Sequence, residues 1–294
     1  MIKLGFKVYH IVSTADILLF AGIRFVICGS IILVFALLKS THLNEGIGQS
    51  ILPILLSGVF SIVLHYGFTY VGLELTDSSK TALLKQVGAL LYVCFSFVVI
   101  KEDKPTIKKI LAAIAGFAGI YVLNYTDKGF SFSFGDALIL CASFCTVISN
   151  VISKRVFETT SPILSTGISQ LFGGFILLLA GIAMGGKVYI TFDSSLWIMV
   201  YICVASIISY CIWYQIVKHG DLSNLFIIKF AESIFACLFG ALILHENIWT
   251  IQYLISVLLI AGGIILSNMN FRIKLLGQKK SSNEHISKET PPQN

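Results

Sequence analysis

Nine apolar runs of about twenty residues follow one another along this chain, and they constrain its fold more than any other feature. The runs cover approximately residues 15–38, 51–72, 79–100, 107–124, 135–153, 161–184, 195–217, 222–243 and 248–268. A bilayer core about 30 Å thick is crossed by a helix of roughly 20 apolar residues. Because the linkers are short and carry turn and cap residues, the pattern predicts nine membrane-spanning helices with little room for a soluble domain.

The composition excludes the soluble alternatives. Hydrophobic residues make up 56% of the 294 residues and charged residues 12%, whereas soluble domains carry about 25% charged residues. A soluble domain of this size cannot cover its surface with so few charges, and the same values exclude disorder, collagen and coiled coil. We therefore expect an all-α, polytopic membrane protein that does not bind nucleic acid.

The two halves of the sequence match at a constant shift of 144 residues, without gaps over residues 66–124. The shift pairs Tyr66 with Tyr210, Tyr70 with Tyr214, Asp77 with Asp221, Lys85 with Lys229, Glu102 with Glu246 and Gly119 with Gly263. Agreement at one fixed period across three helices and their loops predicts a duplicated fold.

The distribution of positive charge indicates that the two repeats are inverted. Loop 101–109 carries four lysines, and none of their counterparts 144 residues later is Lys or Arg. Because Lys and Arg mark the cytoplasmic ends of membrane helices, equivalent loops are predicted to lie on opposite faces. With the C-terminus placed in the cytoplasm, thirteen basic residues fall on the inner side. Lys80, Lys128 and Lys187 fall in outer loops, and Lys3 and Lys7 near the N-terminus would also lie outside. The pattern predicts a multi-pass protein of the cell membrane with a cytoplasmic C-terminus.

The first repeat is shorter than the second at its N-terminal end. The second repeat shows five spans, whereas the first shows four and a half-length apolar stretch before residue 13. We therefore expect an inverted repeat of two five-helix bundles, a ten-helix fold whose first helix is largely missing. The predicted segments are a first repeat over residues 1–125, a second over 134–270, and a flexible cytoplasmic tail over 271–294.

Four segments carry a recognisable pattern. They are "STADILLFAGIRF", which contains the pair Arg24 and Phe25, "VGLELTDSSKTALL", and the two blocks "VVIKEDKPTIKKILAAIAGFAGIYV" and "LILHENIWTIQYLISVLLIAGGIIL". In this order they resemble the EamA-type family of the drug/metabolite transporter superfamily, over about residues 5–270. The resemblance implies a ten-helix carrier of the inner membrane that moves small metabolites, often as an exporter. The family often has a proline where this chain has Ala89 and Ser233.

Ionisable side chains inside membrane spans are costly, so they are the first candidates for function. Lys85 and Lys229 occupy equivalent positions of the two repeats, and Glu232 lies one helical turn after Lys229. This cluster is predicted to bind a substrate carboxylate or to relay a proton, and a structural ion pair is the alternative. Arg24, about ten residues into its span, is predicted either to face the cavity or to clamp a neighbouring loop.

Aromatic and polar side chains at helical spacing predict a pocket near these charges. Its candidate members are His65, Tyr66, Tyr70, Gln86, Asn150, Tyr210, Trp213 and Tyr214. Interhelix packing with a single hydroxyl hydrogen bond is the alternative for each tyrosine. Asp136 and Asp221 precede predicted helices and are interpreted as N-caps.

Enzyme motifs are absent from the sequence, which contains no HExxH, Gly-x-Ser-x-Gly or P-loop pattern and no metal-ligand spacing among its cysteines. We expect no catalytic activity, cofactor or metal. The sequence predicts a secondary transporter, an exporter of small polar metabolites such as amino acids, that works by alternating access. The alternatives are a nucleotide-sugar or lipid-linked carrier, a membrane enzyme acting on lipids, and a transport-inactive truncated carrier. The expected partners are a small-molecule metabolite, the lipid bilayer and a coupled proton or other ion, and the oligomeric state stays open.

Overall fold

The computed structural model describes residues 2–39, 47–99, 107–126, 129–188, 196–220, 222–245, 248 and 250–266. Its helices are α1 (Ile2–Val8), α2 (Thr14–Lys39), α3 (Ile47–Gly58), α4 (His65–Leu75), α5 (Ser78–Val99), α6 (Ile107–Leu123), α7 (Phe134–Val156), α8 (Pro162–Ala183), α9 (Leu196–His219), α10 (Leu222–Leu244) and α11 (Ile251–Leu266). A π-helical segment, Val59–Leu64, joins α3 and α4 into one continuous rod. Two-residue strands, Tyr125–Thr126 and Gly129–Phe130, pair between α6 and α7.

Within the described residues, each of the nine predicted runs coincides with helix, and α3 and α4 share one run. Among the same residues, five stretches are individually long and apolar enough to cross a bilayer: Thr14–Leu38, Ser50–Leu75, Phe134–Val156, Pro162–Ala183 and Leu196–His219. Large apolar side chains such as Leu38 and Trp197 are exposed on the outside of the bundle, as expected for helices surrounded by lipid. The predicted polytopic, all-α fold is confirmed.

The tightest helix pair consists of α2 and α8, which run antiparallel in close contact. A Cβ atom built on Gly22 would lie 2.4 Å from the backbone nitrogen of Leu178, so the two backbones touch. Four further glycine contacts follow the same register: Gly29 with Leu171, Gly167 with Leu33, Gly174 with Val26 and Gly181 with Leu19. Small residues allow this close approach in membrane helices, where interhelix packing depends on van der Waals contact.

The direction of equivalent helices confirms the predicted inversion. The shift of 144 residues places α2 opposite α8 in the alignment and α6 opposite α11. Gly119 of α6 approaches Ile260 of α11, and Gly263 approaches the backbone oxygen of Ala112, so this second pair is also antiparallel. Equivalent helices that run in opposite directions require that one repeat is turned over relative to the other.

The start of α7 differs from the N-cap prediction. Ser133 is the N-cap residue: its side chain accepts from the Asp136 backbone N–H, and the Asp136 carboxylate accepts from the Ser133 backbone N–H at 2.8 Å. Asp136 therefore completes a capping box from inside the first turn, where a carboxylate is favoured, and its interpretation as the N-cap is wrong. Asp221, the other aspartate predicted as an N-cap, lies outside the described residues.

Candidate functional site

One large cavity lies at the interface between the two repeats. It has a volume of about 850 Å³, within the range of roughly 300–1,000 Å³ found for small-molecule sites. Its walls come mainly from α4 and α5 of the first repeat and from α7, α9 and α10 of the second. Carriers built from inverted repeats bind their substrates at such an interface, so this cavity is the candidate site.

The cavity collects eleven of the twelve side chains that the sequence analysis selected. These are Arg24, His65, Tyr66, Tyr70, Lys85, Gln86, Asn150, Tyr210, Trp213, Tyr214 and Glu232. The twelfth residue, Lys229, has its backbone in α10, but its side chain lies outside the described part of the structure. Its pairing with Glu232 therefore stays a prediction.

Arg24 is a buried cation in the wall of the cavity, with 3% of its surface exposed. Its Nη1 donates a hydrogen bond to the hydroxyl of Tyr70 on α4. Its guanidinium carbon lies 4.3 Å from the ring centre of Phe25 and 5.2 Å from that of Tyr66, distances at which a cation is attracted to an aromatic face. Arg24 thus faces the cavity while it ties α2 to α4.

A continuous row of aromatic rings crosses from one repeat to the other. The ring centres of Tyr70 and Tyr66 are 5.3 Å apart, those of Tyr66 and Tyr210 6.5 Å, and those of Tyr210 and Tyr214 5.8 Å. Phe157 continues the row at 5.4 Å from Tyr214. These separations fall in the range of favourable aromatic contacts, and the four tyrosines, which all line the cavity, form its aromatic wall.

Polar side chains on α4, α7 and α9 are oriented by specific contacts. The Nδ1 atom of His65 lies 2.7 Å from Thr146 Oγ1 and 3.0 Å from the backbone oxygen of Ala142. The indole nitrogen of Trp213 donates to Asn150 Oδ1 at 3.0 Å. His65 and Trp213 therefore each join their own helix to α7, which holds these rings at the cavity wall.

Three buried polar atoms in the cavity wall have no hydrogen-bond partner within the described part of the chain. They are Nε of Arg24 and the hydroxyl oxygens of Thr69 and Thr81. Buried polar atoms without partners are rare in proteins, so we expect these three groups to gain a partner if the wall shifts to contact a polar molecule. The sequence analysis missed both threonines, although Thr69 precedes Tyr70 directly and Thr81 lies one turn before Lys85 on α5.

Comparison with known proteins agrees with this architecture. The model of the EamA-like transporter family matches the chain twice, over residues 6–125 and 133–269. A solved crystal structure superposes with a TM-score of 0.68 over 92% of each chain at 19% sequence identity, a likeness that shows the fold.

Several curated proteins are similar in sequence. A WAT1-related chloroplastic protein of Arabidopsis thaliana is 24% identical over 79% of this chain, and an uncharacterized transporter of Synechocystis is 22% identical over 71%. The chain spans 58% and 63% of the lengths of these two relatives. The uncharacterized transporter YvbV of Bacillus subtilis is 25% identical over 85% of this chain and 82% of its own length. Because the family model covers nearly all of it, the chain belongs to the EamA-like transporter family.

Proposed function

We propose that this membrane transporter exports small polar metabolites such as amino acids across the cell membrane by alternating access. The observation that carries the proposal is the content of the large cavity, which places a carboxylate, a lysine and a row of tyrosines at the interface between the repeats. Ionisable groups inside membrane bundles commonly mark substrate pathways, and a substrate with charges of both signs can interact with the Glu232 carboxylate and the Lys85 ammonium group together.

The charged side chains suit the two ends of an amino acid. The Glu232 carboxylate attracts the substrate's α-ammonium group, and Lys85 attracts its α-carboxylate, with Lys229 as a further cation on α10. Hydroxyl groups of Thr69 and Thr81 supply hydrogen bonds that the substrate accepts or donates. The aromatic wall contacts the remaining side chain and tolerates substrates of different size.

The inverted repeats support alternating access as the mechanism. Two repeats of the same fold, turned over relative to each other, can exchange conformations so that the cavity opens to one face and then to the other. A substrate shifts this equilibrium only if it binds one state more tightly, and side chains from both repeats line the cavity. A coupled proton or other ion then sets the direction of net transport.

The test is an efflux assay with matched variants. Proteoliposomes containing the purified protein are loaded with one radiolabelled amino acid at a time, and efflux is measured for the wild type, Glu232→Gln and Lys85→Gln. We expect both variants to lose at least tenfold in initial rate for every amino acid that the wild type moves. Glu74→Gln and Lys187→Gln change exposed charges that do not line the cavity, and both should retain the wild-type rate.

Two results would count against the proposal. If both cavity variants export at the wild-type rate, the charges of Glu232 and Lys85 do not take part in substrate binding. If the well-folded wild-type protein exports none of the amino acids, the proposed substrate class is wrong. Liposomes of the same kind loaded with nucleotide sugars would then test the alternative carrier.

A further inference from the structure

A second, much smaller cavity lies at the junction of α3, α7, α8 and α9. Six oxygen-bearing side chains line it: Ser57, Ser153, Ser165, Thr166, Ser169 and Tyr214. Its volume is about 10 Å³, the size that accommodates one water molecule or one monatomic ion. We call it the hydroxyl pocket.

The hydrogen atoms of two of these hydroxyl groups are used by backbone carbonyls. Ser169 Oγ lies 2.7 Å from the backbone oxygen of Ser165 and 3.1 Å from that of Ile54. Thr166 Oγ1 donates to the backbone oxygen of Pro162 at 2.6 Å. Each hydroxyl carries only one hydrogen, so Ser169 and Thr166 can offer the pocket only lone pairs.

The other serines add a shared hydrogen bond and an unpartnered oxygen. Ser57 Oγ and Ser153 Oγ lie 2.7 Å apart, so one donates to the other. Ser165 is 3% exposed, and its Oγ has no hydrogen-bond partner among the described residues. A buried hydroxyl without a partner destabilises a fold, and Ser165 lines this pocket, so a ligand there would satisfy it.

We propose that the hydroxyl pocket binds one sodium ion. Hydroxyl oxygens are ligands that hard cations accept, and six of the nine lining residues carry one, while Ile54, Val156 and Phe157 complete the lining. The lining side chains include no carboxylate, and burial of an uncompensated charge costs far more for Ca²⁺ or Mg²⁺ than for a monovalent cation, so the pocket suits a monovalent cation better. The small volume favours Na⁺ over the larger K⁺.

The hydroxyl pocket shares one lining residue with the large cavity and contacts a second. Tyr214 lines both, and Ser149 of the large cavity lies 3.4 Å from Ser57 and 3.5 Å from the hydroxyl of Tyr214, measured between oxygens. An ion that pulls on Ser57 and Tyr214 would therefore reposition the aromatic wall. This makes Na⁺ a candidate coupling ion, a role that rests on the proposed transport, whereas binding of the ion does not.

Ion binding is tested on the purified protein in detergent, without any substrate. Thermal unfolding is measured in NaCl, KCl and choline chloride at equal ionic strength. A ligand that binds only the folded state raises Tm in a saturable way, so we expect Tm to rise with NaCl concentration and to rise less with KCl. Ser57→Ala and Ser165→Ala should abolish the Na⁺-dependent rise.

The matched control is Ser256→Ala on α11. Ser256 is equally buried and donates to the carbonyl of its own helix at 2.6 Å, but it lines neither cavity, so this variant should keep the full Na⁺ effect. Equal Tm values in all three salts would mean that the pocket holds only water and would overturn the proposal. A Na⁺ effect that survives in Ser165→Ala would place the ion elsewhere and overturn it too.

The coupling role has its own readout. If Na⁺ raises Tm as expected, amino-acid efflux from the same protein is compared with and without a Na⁺ gradient. Gradient-dependent efflux that Ser165→Ala loses would support coupling. Efflux that does not depend on the Na⁺ gradient would contradict the coupling role but agree with the proposed transport. Absence of efflux would contradict the proposed transport but not the binding of Na⁺.

Discussion

The ring of Tyr66 lies 6.5 Å from the ring of Tyr210, its counterpart in the second repeat. Equivalent residues of two inverted repeats meet only near the axis that relates them, so this axis passes between the two rings. Tyr70 and Tyr214 lie on either side of it with different partners, because Tyr70 accepts from Arg24 whereas Tyr214 lies beside the hydroxyl of Ser149. The cavity is therefore symmetrical in its aromatic wall and asymmetrical in its charge.

The first prediction concerns the bond between Arg24 and Tyr70. Tyr70→Phe keeps the ring but leaves a buried guanidinium with one hydrogen bond fewer, and hydrogen bonds between membrane helices contribute about 1–2 kcal/mol in model peptides. We expect the apparent Tm in detergent to fall by a few degrees. Tyr66→Phe should have a smaller effect, because Tyr66 contacts Arg24 through its ring. A smaller loss in Tyr70→Phe than in Tyr66→Phe would contradict this role for the hydroxyl.

The second prediction concerns the contact between α2 and α8. Gly22→Ala places a methyl group 2.4 Å from the backbone of Leu178, where no side-chain movement can make room. Overpacking of this kind costs about 1–3 kcal/mol, and we expect a lower Tm and a lower yield of monodisperse protein. Gly262→Ala on α11 is the control, since nothing lies within 4 Å of its added methyl group, and it should unfold like the wild type.

The third prediction concerns the ion pair between Lys80 and Asp136, whose charged atoms are 2.8 Å apart. Asp136 is fully buried, whereas 17% of the Lys80 side chain is exposed. Lys80→Met leaves the carboxylate without its cation, and we expect a loss near the lower end of the roughly 3–5 kcal/mol seen when a buried pair is broken.

The double variant of this pair gives the control. Lys80→Met combined with Asp136→Asn removes both charges, and it should be more stable than Lys80→Met alone. Equal Tm values for the single and the double variant would contradict the expected cost of the unpaired carboxylate, and Asp136→Asn alone completes the cycle that measures the coupling.

The fourth prediction concerns orientation in the membrane. Thirteen basic residues against three predict that the C-terminus and the ends of α7 and α9 lie in the cytoplasm. A fluorescent protein fused after residue 294 should fold and fluoresce in a bacterial host, and alkaline phosphatase fused after Lys187 should be active. The reverse pattern of activities would show that the protein has the opposite orientation in the membrane and would contradict the prediction.

The apolar runs were sufficient to predict the membrane helices. The fixed-shift similarity, together with the positions of the basic residues, was sufficient to predict the inversion. A span is determined by local composition, so the predicted run at residues 135–153 differs from α7 (Phe134–Val156) by only a few residues. The π-helical segment Val59–Leu64 could not be predicted, because its apolar residues are typical of any membrane helix. In the structure this segment packs against α7 and α8.

Part of the candidate site was predictable, again because local composition reveals it. Charged residues such as Lys85 and Glu232 stand out in an apolar span, and both line the large cavity. The hydroxyl pocket was missed, because single serines are common in membrane helices, where they bond to their own backbone. The available signal was the pair Ser165 and Ser169, one turn apart on α8, but only the folded structure brings them to Ser57 and Ser153.

The register between α2 and α8 limits how these two helices can change during evolution. In all five glycine contacts the two residue numbers add to 200, as for Gly22 with Leu178 and Gly167 with Leu33. A one-residue insertion in the middle of either helix would turn the part beyond it by about 100°, so several glycines would leave the contact together and bulky side chains would replace them. Insertions and deletions among relatives should therefore fall in the loops, and these two helices should keep their length even where nearly every side chain has changed.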